Sequence, residues 1–92
     1  MKMLKGKRSV ITAGGTGFGQ ALSVWLAREG VEVDFCARRV DDIKKTCSII
    51  KAEGGVAEGY VCDLTQPESL SQVSSQLLSS DRPIGILILN AA

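Results

Sequence analysis

Apolar and polar positions along this 92-residue chain change their period several times, and each change marks an element. Residues 8–12, built on Ser9, Val10 and Ile11, read as a short buried strand. From Gly17 the apolar residues Phe18, Ala21, Leu22, Trp25 and Leu26 recur at i, i+3, i+4 and i+7. That spacing predicts one apolar helical face running to Arg28, with Gly30 as its C-terminal cap. Val31, Val33 and Phe35 then alternate with Glu32 and Asp34, and Cys36-Ala37 finish a second strand. Its alternation predicts less complete burial than in the first.

Helical spacing returns at Val40, Ile43, Cys47 and Ile50, with Asp41 and Asp42 near the start and Lys51 near the end. Both placements suit the helix dipole. Gly54-Gly55 stop this helix, and residues 56–62 form a third strand that Gly59 weakens slightly. Thr65-Gln66-Pro67-Glu68 reads as a capping box with proline in the first turn. Leu70, Val73 and Leu77 give a third helix its apolar face, although six serines between Ser69 and Ser80 are poor interior helix formers. After Asp81-Arg82-Pro83, residues 84–89 are continuously apolar, as expected of a parallel strand buried on both faces.

The predicted order is β-α-β-α-β-α-β, an α/β chain with a parallel sheet and helices on both faces. Right-handed crossovers in the dinucleotide-binding arrangement give strand order 3-2-1-4. Ligand then belongs where that order reverses, between strands one and four. One sheet face carries two helices and the other only the third, so the three layers are incomplete.

Composition narrows the function. With 11 basic and 10 acidic residues and few aromatics, the chain offers no surface suited to nucleic acid. The basic start (Lys2, Lys5, Lys7, Arg8) resembles the opening of a secretory signal, but only Ser-Val-Ile-Thr-Ala separates it from the glycines. No stretch is long and apolar enough to span a membrane, and a cytoplasmic location is expected. Cys36, Cys47 and Cys62 are an odd set with no close pair in sequence, and histidine is absent. Metal spacing and Cys-His or Ser-His-Asp catalysis are therefore not expected, and the thiols read as small packed hydrophobes.

The chemistry concentrates in Thr12-Ala13-Gly14-Gly15-Thr16-Gly17-Phe18-Gly19, a glycine-rich turn between a strand and a helix. Such a turn presents backbone N–H groups and a helix N-terminus to a phosphate. A mononucleotide P-loop is excluded, because Gln20-Ala21 stands where Lys-Ser/Thr is needed. A response-regulator arrangement lacks its acidic cluster after strand one. The Gly-x-Gly-x-x-Gly fingerprint also fails. What remains is the looser Thr-Ala-x-x-x-Gly-x-Gly.

In that spacing the chain resembles the short-chain dehydrogenase/reductase family, whose loop reads Thr-Gly-x-x-x-Gly-x-Gly; Ala13 replaces the first glycine. Three further segments carry the resemblance, which runs from Lys7 to Ala92. Ala37-Arg38-Arg39 follows strand two, where NAD enzymes of this type place an acid on the ribose 2′-hydroxyl. A guanidinium there binds a 2′-phosphate instead, so Arg38, helped by Arg39 or Thr16, implies NADP(H) over NAD(H). An ordinary solvated arginine pair is the competing reading. Cys62-Asp63-Leu64 follows strand three; the resemblance gives Asp63 the adenine amino group and Leu64 the ring, and a plain turn residue is the alternative for Asp63. Leu89-Asn90-Ala91-Ala92 resembles the Asn-Asn-Ala-Gly that ends strand four, with structural and cofactor roles both open for Asn90.

The resemblance thus implies a partial Rossmann-like NAD(P)-binding domain over residues 1–92, with Gly14, Gly15, Thr16, Gly17, Phe18, Gly19, Arg38, Arg39, Asp63, Leu64, Asn90 and Ala91 at the cofactor. The family's catalytic Ser and Tyr-x-x-x-Lys have no counterpart in this sequence, and Tyr60, inside strand three, is not that tyrosine. The expected function is the amino-terminal, cofactor-binding part of an oxidoreductase, inactive by itself. A non-catalytic nucleotide-binding or interaction module is the runner-up, and the apolar edge at strand four invites self-association.

Overall fold

The computed structural model describes residues 5–12, 17–63, 65–79 and 83–88; the side chain of Leu70 lies outside the described set. Seven elements follow in order: β1 (Arg8–Ile11), α1 (Gly17–Arg28), β2 (Glu32–Ala37), α2 (Val40–Ala52), β3 (Ala57–Val61), α3 (Pro67–Leu78) and β4 (Ile86–Ile88). All strand pairs are parallel and the order is β3-β2-β1-β4, as expected.

Register divides the side chains between two faces. Ser9 aligns with Val33 and Ile11 with Phe35, so Ile11, Val33 and Phe35 join Leu26 of the first helix and Ile50 of the second in one core cluster. On the other face Val10, Cys36 and Cys62 pack with Val73 and Leu77 of α3. Two helices therefore cover one face and a single helix the other. β1 is buried throughout, whereas Glu32 and Asp34 leave β2 half-buried at alternate positions.

Two helices end alike. Gly30 and Gly54 have φ of +82° each, and the amides that follow them, Val31 and Gly55, return to Leu26 O at 3.1 Å and Ile50 O at 2.9 Å. These six-to-one bonds are the Schellman closure that glycine permits. Gly59 is needed for a different reason: a Cβ there would lie 2.3 Å from Ile43 Cγ2 and 3.0 Å from Phe35 Cζ. Glycine at this strand position lets Ile43 of α2 pack directly against the β3 backbone.

Four expectations need correction. The core face of α1 is Gly19, Ser23, Leu26 and Ala27, while Phe18 is 71% exposed and Trp25 43%. Gly19, Ser23, Leu26 and Ala27 face the sheet, with Leu22 packed against the core, whereas Phe18 and Trp25 turn outward. In α2 the buried residues are Thr46 and Ile50, with Val40 exposed; Thr46 Oγ1 accepts from Gln20 Nε2 at 3.0 Å. The capping box does not form: α3 starts one residue later than that reading requires, with Gln66 as its N-cap and no side-chain cap bond, and the Thr65 hydroxyl instead donates back to Asp63. Finally, β4 is not buried on both faces. Leu87, aligned with Val10 on the α3 side, is 60% exposed, and only Ile86 and Ile88 reach the core.

Arg8, grouped with the basic start, is buried. Its Nε donates to Asp34 Oδ2 at 2.6 Å, and its Nη2 donates to Leu77 O at 3.2 Å. No basic residue occupies the last turn of α3, so a cation from β1 caps that helix end instead.

Candidate functional site at the carboxyl ends of the strands

Because every strand runs the same way, the segments after β1, β2 and β3 emerge along one edge of the sheet, where the three helices begin. Thr12 N donates to Ile88 O at 3.1 Å and ties the end of β1 to that of β4. This is the side of the sheet on which doubly wound folds bind ligands, at the point where strand order reverses.

The first contribution is the start of α1. Gly17 has φ of +56°, and among the described residues a Cβ there would meet nothing within 4 Å, so they leave open space beside it. Exposed Phe18 stands next to that space, and buried Gly19 accepts from Ser23 Oγ at 2.8 Å, fixing the first turn. Gly14, Gly15 and Thr16 lie outside the described residues, as do Leu64, Asn90 and Ala91.

The second is the link from β2 to α2. Ala37 ends the strand, Arg38 follows exposed, and Arg39 is the extended N-cap of α2, also exposed. Among the described residues neither guanidinium makes an ion pair with a carboxylate. Asp34, the acid nearest in sequence before them, is committed to Arg8 inside the sheet.

The third is the end of β3. Cys62 N donates to Ala37 O at 2.9 Å, so Asp63 emerges beside Arg38. Asp63 Oδ1 accepts from Thr65 N at 2.9 Å and from Thr65 Oγ1 at 2.7 Å, and Asp63 N donates to Ser69 Oγ at 3.1 Å. The Thr65 hydroxyl and then its amide, with the Arg38 charge adding to them, hold the Asp63 carboxyl below its ordinary range. The site therefore presents a carboxylate and a guanidinium that feel each other electrostatically without forming an ion pair.

Of the expected residues, the structure brings Gly17, Phe18, Gly19, Arg38, Arg39 and Asp63 to this edge. Sequence reasoning missed Thr65 and Ser69 as partners of Asp63. The Asp-x-Thr spacing was the available signal, since an Asp side chain commonly bonds the residue two places on.

Other chemistry lies elsewhere. A groove of about 760 Å³ between β3 and α3, lined by Glu58, Tyr60, Val73 and Gln76, sits at the outer edge of the sheet. Tyr60 is pushed up by burial and then by the charges of Asp34 and Glu58, which keeps its phenol protonated. Cys36 and Cys62, distant in sequence, meet under α3, and burial followed by the Cys62 neighbour pushes Cys36 up to about 11. All three cysteines are free. Among the described residues no group of Asp, Glu or Cys is arranged to hold a metal, and no helix is long and apolar enough to cross a membrane.

A parallel sheet of order 3-2-1-4 with a glycine-opened first helix defines a nucleotide-binding α/β protein. The chain belongs to the short chain dehydrogenase family, whose sequence profile matches residues 7–92. It is 35% identical over 94 residues to a Caenorhabditis elegans protein described as a probable 2,4-dienoyl-CoA reductase, covering 97% of this chain and 29% of that protein. To the fatty acyl-CoA reductase of Acinetobacter baylyi it is 32% identical over 88 residues, covering 96% of this chain and 30% of the relative. The chain thus spans about a third or less of the curated relatives it matches. Among solved structures, a short-chain type dehydrogenase/reductase from Mycobacterium marinum superposes with a TM-score of 0.86 at 32% identity, covering 97% of this chain and 36% of that one. A metagenomic short-chain oxidoreductase in complex with NADP gives 0.88 at 29% identity, with 97% and 40% covered.

Proposed function

We propose that this chain is the NADP(H)-binding amino-terminal part of a short-chain dehydrogenase/reductase that prefers NADP(H) to NAD(H). The observation that carries the reading is the exposed Arg38 guanidinium after Ala37, at the end of β2, beside Asp63. A carboxylate at that strand end would accept the ribose 2′-hydroxyl and repel a 2′-phosphate; a guanidinium does the reverse. The open space beside Gly17 and the exposed ring of Phe18 fit a pyrophosphate and its neighbouring groups. Asp63 would accept from the adenine amino group, and Arg39 would add to the field at the phosphate. The loop residues Gly14, Gly15 and Thr16, together with Leu64, Asn90 and Ala91, belong to the same proposal on the family resemblance.

Bound NADP(H) would supply hydride transfer between nicotinamide and a carbonyl or alcohol carbon. This chain's own residues bind and orient the cofactor; the family's Ser and Tyr-x-x-x-Lys are not among them, so the 92-residue chain alone is expected to turn over no alcohol. Free thiols in the fold suit a reducing compartment such as the cytoplasm. The exposed Leu87 on β4, paired on its other side only with β1 among the described residues, supports self-association of the isolated chain along that strand.

The test is calorimetric titration of NADPH and NADH into the chain and its Arg38→Asp variant. Preference for NADPH by one to two orders of magnitude, lost or reversed in Arg38→Asp, is expected from a charge-assisted contact worth about 1.5–3 kcal/mol. Equal affinities in the unmodified chain would overturn the reading.

A further inference from the structure

We infer that Thr65 and Ser69 are positioning residues that aim the Asp63 carboxylate at the base of the nucleotide, making this pair a determinant of adenine recognition. The inference rests on the cofactor reading above, and it concerns side chains to which that reading gives no part.

A carboxylate at the end of a strand ordinarily rotates freely. Asp63 is held at both of its ends. Its own N–H is donated to Ser69 Oγ at 3.1 Å, which ties the backbone to the first turn of α3. Its Oδ1 takes two donors from one residue, the Thr65 amide at 2.9 Å and the Thr65 hydroxyl at 2.7 Å. Two donors on one oxygen fix both the rotation of the group and which oxygen is turned outward. Among the described residues no donor reaches Oδ2, so the remaining acceptor has a single, defined direction.

That arrangement discriminates. An ionised carboxylate only accepts hydrogen bonds, so it favours a ring bearing an amino group over one bearing a carbonyl at the same place. Adenine has the amino group, and hypoxanthine differs from it there by a carbonyl. Discrimination of this kind needs a fixed acceptor, because a freely turning carboxylate swings away from the repulsive oxygen. Were Thr65 merely a turn residue, its hydroxyl would affect folding and leave the choice of base alone. Thr65→Val keeps the shape and the backbone amide while removing one of the two donors, and Thr65→Ser keeps both.

The experiment titrates NADPH and reduced nicotinamide hypoxanthine dinucleotide phosphate into the chain and into Thr65→Val, Thr65→Ser and Ser69→Ala. The unmodified chain is expected to prefer the adenine form by on the order of tenfold, the scale of one charge-assisted hydrogen bond at a solvated site. Thr65→Val should bring that ratio to about threefold or less, Ser69→Ala should lower it too, and Thr65→Ser should retain it. The NADPH-to-NADH ratio, which reads Arg38, should stay constant in all four proteins. An unchanged base ratio in Thr65→Val overturns the inference. So does loss of both cofactors alike in that variant, which would assign the hydroxyl to the fold. An unmodified chain that prefers NADPH to NADH without distinguishing the bases leaves the cofactor reading standing and overturns this one; a chain that binds neither form overturns both.

Discussion

Arg8 and Asp34 are joined across β1 and β2 by an Nε–H···Oδ2 bond of 2.6 Å, with side chains only 6% and 16% exposed. The same guanidinium reaches Leu77 O at the end of α3. Arg8→Ala is expected to destabilise the chain by about 3 kcal/mol, because it strands a largely buried carboxylate and uncaps a helix. Arg8→Met combined with Asp34→Leu should recover most of that loss, as an apolar pair needs no compensation. Urea unfolding midpoints of the three proteins check both statements.

Gly17 and Gly59 should fail differently when replaced by alanine. At Gly17 an alanine would be strained in the backbone, with φ of +56° and no described residue within 4 Å of its Cβ. Gly17→Ala should therefore cost about 1 kcal/mol of stability yet abolish NADPH binding, if the space is where the pyrophosphate lies. At Gly59 the Cβ collides with Ile43 and Phe35. Gly59→Ala should cost about 1–3 kcal/mol, and Ile43→Ala in the same chain should relieve part of it. Thermal unfolding with and without NADPH separates the two cases.

The Cys36 thiol, pushed from its ordinary 9.0 to about 11, makes stability fall with rising pH. Between those two values the unfolded chain has lost this proton while the folded one keeps it, so the native contribution is complete below 9 and gone above 11. Denaturation midpoints should drop across that window, and Cys36→Ala should flatten the slope. Alkylation by iodoacetamide at pH 8 should reach half-buried Cys47 before either Cys36 or Cys62.

Asp63 titrates in the opposite sense. Its carboxyl is held below the ordinary 3.8, so its contribution to stability is present above that value and is lost as pH falls through the lowered one. Carbon-detected NMR of the Asp63 carboxyl should show the pKa rising in Thr65→Val, and rising less in Arg38→Ala. No movement in Thr65→Val would contradict the hydrogen bond as its cause.

Most of the fold was legible because strand and helix periods alternate cleanly and glycines mark the helix ends. Gly30 and Gly54-Gly55 close their helices as the sequence indicates. The failures have local causes. Phe18 and Trp25 match a helical face better than Gly19 and Ser23 do, yet the smaller residues meet the sheet. Thr65-x-x-Glu68 matches a capping box, yet the helix takes Gln66 as its N-cap and the Thr65 hydroxyl turns back to donate to Asp63. Neither the meeting of Cys36 with Cys62 nor the burial of Arg8 is visible without the register of the sheet. At the candidate site, Arg38 and Asp63 were legible as residues at strand ends, whereas the side chains that hydrogen-bond Asp63 were hidden by that cap assignment.

Among the described residues α3 is the one helix on its face of the sheet, resting on Val73, Leu77 and the Arg8 bond to its last turn, while its first turn holds the Asp63 amide through Ser69. Seating of the helix and aim of the carboxylate are thereby linked through Ser69. On the proposed reading, a nucleotide that engages Asp63 is expected to slow exchange of α3 amides with solvent, and a loosened helix to weaken the nucleotide in turn. Cys36 and Cys62 lie beneath that helix, so on the proposed cofactor reading the reactivity of these two thiols is expected to fall when a nucleotide engages Asp63.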